Sequence, residues 1–432
     1  MLDIRFIRDN PEKVQTNAIN KGCDVDIAAL LKLDTDNKLL QSQAEELRQK
    51  RNENVALSKG GRPTPELIAE GKAIKDQLAV IEPKLKEIST EFIDLLKKVP
   101  NIALSDVPVG HSEEENVVIK TIGELPVFDF KPLNHAEIAA KHDWIDKERA
   151  AKVTGSRFAY VKGNLVRLQF AIIQFVMDTL GDEAVINEIA KNNNLSVSTK
   201  PFLPILPPYM IRTDMYDAMD RLEPRDERYK LEGDDLWLQG SAEHTLGSMH
   251  ANEILDEAQL PLRYLGYATS FRREAGTYGK DMEGLFRMHQ FDKLEIESFT
   301  TADDGLNEHL LFAAIQDYML SKLDLPHQVI QKCTFDIGKP NARGVDMNTY
   351  LPGQGKYRET HTADYMTDYQ SRRLNTRVRR SSGTLELVHT NDATAFALGR
   401  IMIAIIENNQ TADGNVNIPN ALQSYLGGRK IL

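Results

Sequence analysis

Two long stretches with seven-residue apolar repeats, on either side of a glycine and proline break, constrain this chain more than any other feature. Apolar residues fall at Ile74, Leu78, Ile81, Leu85, Ile88, Phe92 and Leu95, in alternating steps of four and three. That spacing lines one helix face over three heptads. Upstream, Leu33, Leu40 and Leu47 repeat at seven, with Ala44 between them. SKGGRPTP, residues 58 to 65, separates the two stretches. Gly60 and Gly61 should end the first helix, Thr64 should cap the second, and Pro65 suits its first turn. The pattern predicts an antiparallel helical hairpin, with a bend where Pro83 removes a backbone hydrogen bond. Such a hairpin either dimerises as a coiled coil or reaches out to a partner, and the repeat alone allows both.

Charge separates those readings. The whole chain carries a formal −11, yet residues 1–100 hold 17 Lys+Arg and 17 Asp+Glu, so the excess of acid lies entirely beyond them. Around the tip of the hairpin, Arg48, Lys50, Arg51, Lys59 and Arg62 face only Glu53. Phosphate binding depends on local Lys and Arg, so Lys50, Arg51, Lys59 and Arg62 are candidate nucleic-acid contacts.

VPNIALSDVPVG, residues 99 to 110, reads as a linker and places a boundary near residue 105, giving an arm domain over 1–105 and a second domain over 106–432. In the second domain, Leu165, Leu168, Ile172, Val176 and Leu180 define an amphipathic helix that ends at Gly181. The β-rich runs at 235–240, 291–299 and 385–389 lack βαβ alternation, and no GxxxxGK[ST] or GxGxxG occurs. These observations predict an α+β fold: the helical arm, then a mixed, mostly antiparallel sheet flanked by helices. The first residues, MLDIRFIRDN, lack an apolar signal core, and no apolar run reaches the ~18 residues that cross a bilayer, so we expect a cytoplasmic protein with no membrane association. Cys23 and Cys333 are too few for a disulfide framework, and the ten histidines lack ligand spacing, so no structural zinc is expected.

The stretch FRREAGTYGKDMEGLFRMHQFDKLEIE, residues 271 to 297, carries the chemistry. If FRRE ends one strand and FRMHQFDKLEIE forms the next, Arg287, Phe291 and Glu295 share a face, with Arg272 and Glu274 beside them. A guanidinium, an aromatic face and a carboxylate in a row suit a polyphosphate, a flat base and a small cationic group. An exposed salt-bridged hairpin is the plainer alternative. His289 and Asp292 would face the other way and serve structure.

This stretch resembles motif 2 of class II aminoacyl-tRNA synthetases, and HQFDKLEIE resembles the seryl-tRNA synthetases, in a form like a divergent bacterial type. Motif 2 then spans about 262–297, motif 1 is matched more weakly around 199–219, and motif 3 around 388–410. VTGSRFAYVKGNLVRLQ, VPNIALSDVPVG and the hairpin resemble the family's catalytic-domain entry, its linker and its tRNA-contacting arm, so the likeness runs the length of the chain. The resemblance implies activation of L-serine by ATP with Mg²⁺, transfer to tRNA(Ser), and to tRNA(Sec) where present, and a homodimer formed across motif 1.

By position in the motifs, the resemblance implies that Arg272 binds the α-phosphate and serine carboxylate, Glu274 the adenine edge, Arg287 the γ-phosphate, Phe291 one adenine face, and Arg400 the other face or the γ-phosphate. Glu359 and Thr362 match the Mg²⁺ and phosphate positions, with Thr360 and His361 in the same ATP-binding stretch. Ser241, Ala242 and Glu243 match the family's Thr-Ala-Glu loop, and with Arg272, Glu295 and Thr394 they would bind serine. Two departures stand out: ETHTADY (359–365) where the family has Glu-Ile-Ser-Ser and Cys-Ser-Asn, and DATA (392–395) where it has Asn-Gly-Ser-Gly. Thr362 and Thr394 keep a hydroxyl, Asp392 turns an amide into a charge, and His361 adds a titratable ring. They leave open a synthetase-derived relative that uses another small amino acid or another acceptor. An intact arm counts against the latter.

Overall fold

The computed structural model describes residues 1–58, 63–274 and 284–432. The chain divides into two compact units, Met1–Ile102 and Ala103–Leu432.

In the first unit, short helices at Ile4–Asp9 and Pro11–Asn20 precede two long ones, α1 (Ile27–Ser58) and α2 (Pro65–Lys98). Asn37 meets Ser89, Arg48 meets Glu82, and Asn54 donates to the Leu67 carbonyl, so pairing descends α2 as it ascends α1. The hairpin is antiparallel. Its seam is the predicted one: Ala44, Ile74, Leu78 and Phe92 are buried, and Ile81, Leu85 and Ile88 are half-buried. Thr64 caps α2 by accepting the Leu67 amide, with Pro65 at the first helical position. The helix runs on through Pro83, which lies exposed. Gly60, Gly61, Lys59 and Arg62 lie outside the described residues.

The second unit is built on eight strands: β1 (Val117–Ile122), β2 (Leu203–Ile205), β3 (Leu262–Phe271), β4 (Gln290–Thr300), β5 (His327–Gln331), β6 (Arg343–Leu351), β7 (Lys356–Thr367) and β8 (His389–Ala397). Their order is β1-β5-β6-β7-β8-β4-β3-β2, antiparallel throughout except for the parallel pair of β2 and β3. Helices α3 (His135–Lys141), α4 (Asn164–Gly181), α5 (Gly305–Lys322) and α6 (Leu398–Asn408) flank it. The helix expected from Asn164 is therefore present and runs to Gly181.

Alternation along β4 sorts the sheet into a core face and a site face. Leu294 and Ile296 are fully buried and join one large apolar cluster with Ile172 of α4, Ile315 of α5 and Ile405 of α6. Phe291, Lys293, Glu295 and Glu297 point the opposite way. On that face Gly266 lies directly across from Glu295, and a Cβ there would fall 2.6 Å from Leu246. Its lack of a side chain lets the one-turn helix Glu243–Leu246 sit on the sheet beside the buried carboxylates.

Candidate active site

The two strands of the predicted hairpin are shorter than the pattern suggested. The Arg272 amide still donates to the His289 carbonyl (2.9 Å), but the His289 amide is taken by the Arg157 carbonyl (3.0 Å), and the ladder stops. Arg272 and Glu274 thus lie beyond the end of β3, and Arg287 lies in the turn before β4 rather than on the strand. The parity argument holds for Phe291 and Glu295 and fails for Arg287. By alternation only Asp292 belongs on the opposite face, since His289 shares the parity of Phe291, but both serve structure: the His289 ring bonds the Arg272 carbonyl (2.9 Å), and Asp292 accepts from Thr269 and Gln169.

These residues still meet in one pocket, lined by Arg272, Glu274, Arg287 and Phe291 on one side and by Glu359, Thr360, Thr362, Thr394 and Arg400 on the other. Arg287 donates to Glu274 Oε2 at 2.6 Å, and Arg272 Nε donates to the Gly240 carbonyl at 2.9 Å. The Arg272 guanidinium lies 5.4 Å from the centroid of the Phe291 ring. Across the pocket, Arg400, near the start of α6, donates to the Glu359 carboxylate (2.9 Å) and carbonyl (3.0 Å). Phe286 also lines this pocket, with the Arg358 and Arg400 guanidinium groups 4.0 and 4.9 Å from its ring. It was not anticipated, although GLFR places it one residue before Arg287.

His361 is the exception among the expected ATP contacts. Thr360 and Thr362 line the pocket, whereas His361 is buried, meets Thr360 Oγ1 at 2.8 Å and packs edge-on against Phe396. Burial pushes its ring down to about 3, so it stays neutral near pH 7 instead of titrating there.

The expected serine-binding residues lie deeper. Ser241, Ala242, Glu243 and Glu295 are buried. Lys293 joins them to the pocket: it lines the open part, ion-pairs with Glu295 and donates to Ser241 Oγ at 3.0 Å. Ser241 in turn reaches Glu295 Oε2 at 3.4 Å, and Glu295 pairs across the sheet with Thr394. Lys293 was missed, although it shares the parity of Phe291 and Glu295. Burial pushes the Glu295 carboxyl up to about 8, with Lys293 pulling the other way.

One row further in, Glu297 lies opposite Asp392, and Asp392 opposite Asp364. Burial pushes Asp392 up to about 7 and holds Glu297 well above the carboxylate range. Both Glu297 oxygens lack a hydrogen-bond partner among the described residues. The charge at Asp392 is matched: Arg221 donates to it at 3.1 Å from a separate segment. Nothing in the spacing of Arg221 pointed to this role.

In sum of chemistry, the pocket offers fixed cations for phosphates, one aromatic face, and an acidic recess gated by a lysine. Of the two residues expected to hold magnesium, Glu359 offers an accessible carboxylate, a hard donor that suits the ion, whereas the Thr362 hydroxyl is buried behind the pocket wall.

Comparison with known proteins bears on the same residues. Residues 1–103 match the seryl-tRNA synthetase N-terminal domain, and residues 227–409 the class II tRNA synthetase core domain (G, H, P, S and T). The chain is similar to the serine–tRNA ligase of Deinococcus radiodurans, at 40% identity over 100% of this chain and 99% of that one. Among solved structures it is similar to seryl-tRNA synthetase from Pyrococcus horikoshii complexed with ATP, with a TM-score of 0.87 and 35% identity over 100% of this chain and 99% of that one. It is also similar to the cytoplasmic serine–tRNA ligase of Naegleria fowleri in complex with AMP, with a TM-score of 0.84 and 26% identity over 100% and 98% of the two chains.

Proposed function

This chain belongs to the seryl-tRNA synthetases, class II ligases that use ATP to join serine to tRNA, and we propose how its pocket divides that reaction. The serine carboxylate attacks the α-phosphorus of ATP, the bond to the β-phosphate oxygen breaks, and pyrophosphate leaves with the charge. A terminal ribose hydroxyl of the tRNA then attacks the seryl carbonyl and releases AMP. The nucleophile of the first step needs no base, so the protein's task is alignment and charge stabilisation.

Arg272 holds the α-phosphate against the serine carboxylate, and Phe291 takes one face of the adenine whose edge Glu274 reads. Arg287 and Arg400 face the outer phosphates from opposite walls. Glu359 would hold Mg²⁺, which when bound neutralises phosphate charge. Glu243 and Glu295 meet the serine ammonium, and Ser241 and Thr394 its hydroxyl. Lys293 pulls the buried Glu295 toward its ionised form against the cost of burial, and the arriving ammonium favours that form further. A pocket that bonds the hydroxyl rejects alanine, whereas threonine is excluded only by size.

The observation that carries this reading is the convergence of Arg272, Glu274, Arg287, Phe291, Glu359 and Arg400 on one pocket although they come from three distant segments. Arg272→Ala should lower ATP–pyrophosphate exchange by at least ~100-fold, the scale of a lost transition-state contact. Exchange within a few fold of the wild type would remove Arg272 from the role.

We further propose that α1 and α2 form the arm that binds tRNA(Ser), within an arm domain over about 1–105. The basic residues near its tip support this. The exposed apolar side chains of Leu203, Leu206 and Met210, on and just after the edge strand β2, support a homodimer across the 199–219 segment. Sedimentation equilibrium should give twice the chain mass at micromolar concentration, and a monomer there would contradict it. Among the described residues no helix is long and apolar enough to cross a membrane, in keeping with action in the cytoplasm.

A further inference from the structure

Gly284 has a φ of 65° and lies so close to His135 that a Cβ would fall 1.8 Å from the ring Nε2. Only glycine fits there, on both counts. His135, the first residue of α3, is buried, and its ring is held from behind. Its backbone amide (3.0 Å) and ring Nδ1 (2.9 Å) both meet Oε1 of Glu407. A carboxylate only accepts, so Nδ1 carries the proton and Nε2 faces Gly284. Glu407 is fully buried near the end of α6, and its other oxygen accepts the Gly353 amide at 3.0 Å.

The residues on either side of this contact give it meaning. Leu285, Phe286, Arg287 and Met288 follow Gly284 directly and line the pocket. Helix α6 carries Arg400 into the same pocket near its start and Glu407 two turns later. A single helix therefore supplies one wall of the pocket and, through Glu407 and His135, the support beneath the other.

We propose that His135, oriented by Glu407, is a positioning residue: it seats Gly284 and thereby sets Phe286 and Arg287 in register with Arg400 around the ATP phosphates. Neither His135 nor Glu407 lines the pocket, so both act through the Gly284–Met288 segment. The inference rests on the phosphate-binding role given to Arg287 above.

The test compares Gly284→Ala and His135→Ala with Arg287→Ala in steady-state pyrophosphate exchange. Serine transfer from preformed, enzyme-bound seryl-adenylate to tRNA is measured in parallel. All three variants should raise KM for ATP about tenfold or more, while KM for serine and the transfer rate stay within about twofold, because displacement by a fraction of an ångström is felt at the phosphates alone. If Arg287→Ala raises KM for ATP and Gly284→Ala does not, the seat is overturned and the pocket reading stands. If Arg287→Ala leaves KM for ATP unchanged, the pocket reading itself falls and takes the seat with it. Parallel losses in ATP, serine and transfer would also overturn the proposal, since they mark general destabilisation. Should His135→Ala fail to fold, Glu407→Gln, read by the same split in KM, decides, because Gly284→Ala is strained by its φ whatever His135 does.

Discussion

At Lys293 the alternation of a single strand brings the open pocket and the buried carboxylates together. Phe291, Lys293, Glu295 and Glu297 succeed one another on the same face of β4, so one strand runs from the open pocket to its buried acidic end. That face was legible because side chains alternate strictly, and Lys293 could have been read from it. Arg221 could not, because its partner Asp392 lies 171 positions away and only the folded chain brings them together. The same burial makes stability depend on pH. Glu295 (about 8), Asp392 and Asp346 (both about 7) and Glu297 are all raised, chiefly by desolvation. A raised carboxyl binds more protons folded than unfolded, so its contribution is full below the unfolded carboxylate range and is lost as pH rises through the folded value. Buried His361 and His244, both lowered to about 3, oppose this only below about 6.5, where the unfolded imidazole is charged. The melting temperature should therefore fall between about pH 6.5 and 8, and Glu297→Gln should flatten that slope. A melting temperature that rises over this interval would show that these carboxyls are ionised in the fold.

Among the elements, the hairpin was the most legible and the strands around motif 2 the least. Heptad spacing, a threonine cap and a first-turn proline act locally, and α1 and α2 follow them closely. The ends of β3 and β4 were misjudged because the His289 amide is captured by Arg157, more than a hundred positions away. Buried Asn54, which donates to the Leu67 carbonyl and to Glu70, was equally invisible to an apolar repeat. Near the tip, Arg48 is paired with Glu82 and Lys50 with Glu46, so part of the local positive charge is already answered. If the arm binds tRNA through this region, replacing Lys50, Arg51, Lys59 and Arg62 by alanine should weaken tRNA binding and reduce its salt dependence. Pyrophosphate exchange without tRNA should stay near the wild-type rate. An equal loss of both activities would show that the two units are not divided in this way.

For the whole molecule, the sequence motifs pointed to the family, and the two domain matches agree on that family. The substrate pocket was less legible, because its selectivity depends on how buried charges balance around a few hydroxyls. Thr362, Asp392 and Thr394 depart from the family pattern at positions near the proposed serine site, yet Arg221 pairs with the new carboxyl and both threonines line the pocket. The account therefore predicts that these changes are tolerated and that the chain still chooses serine. The most direct test is ATP–pyrophosphate exchange with purified protein and Mg²⁺, comparing serine, threonine and alanine without tRNA. Serine should exceed threonine by at least ~10-fold, the lower bound for exclusion by one methylene-sized group, and alanine by more, since it leaves buried hydroxyl partners unpaired. Exchange with another amino acid above serine, or with none of the three, would contradict the account.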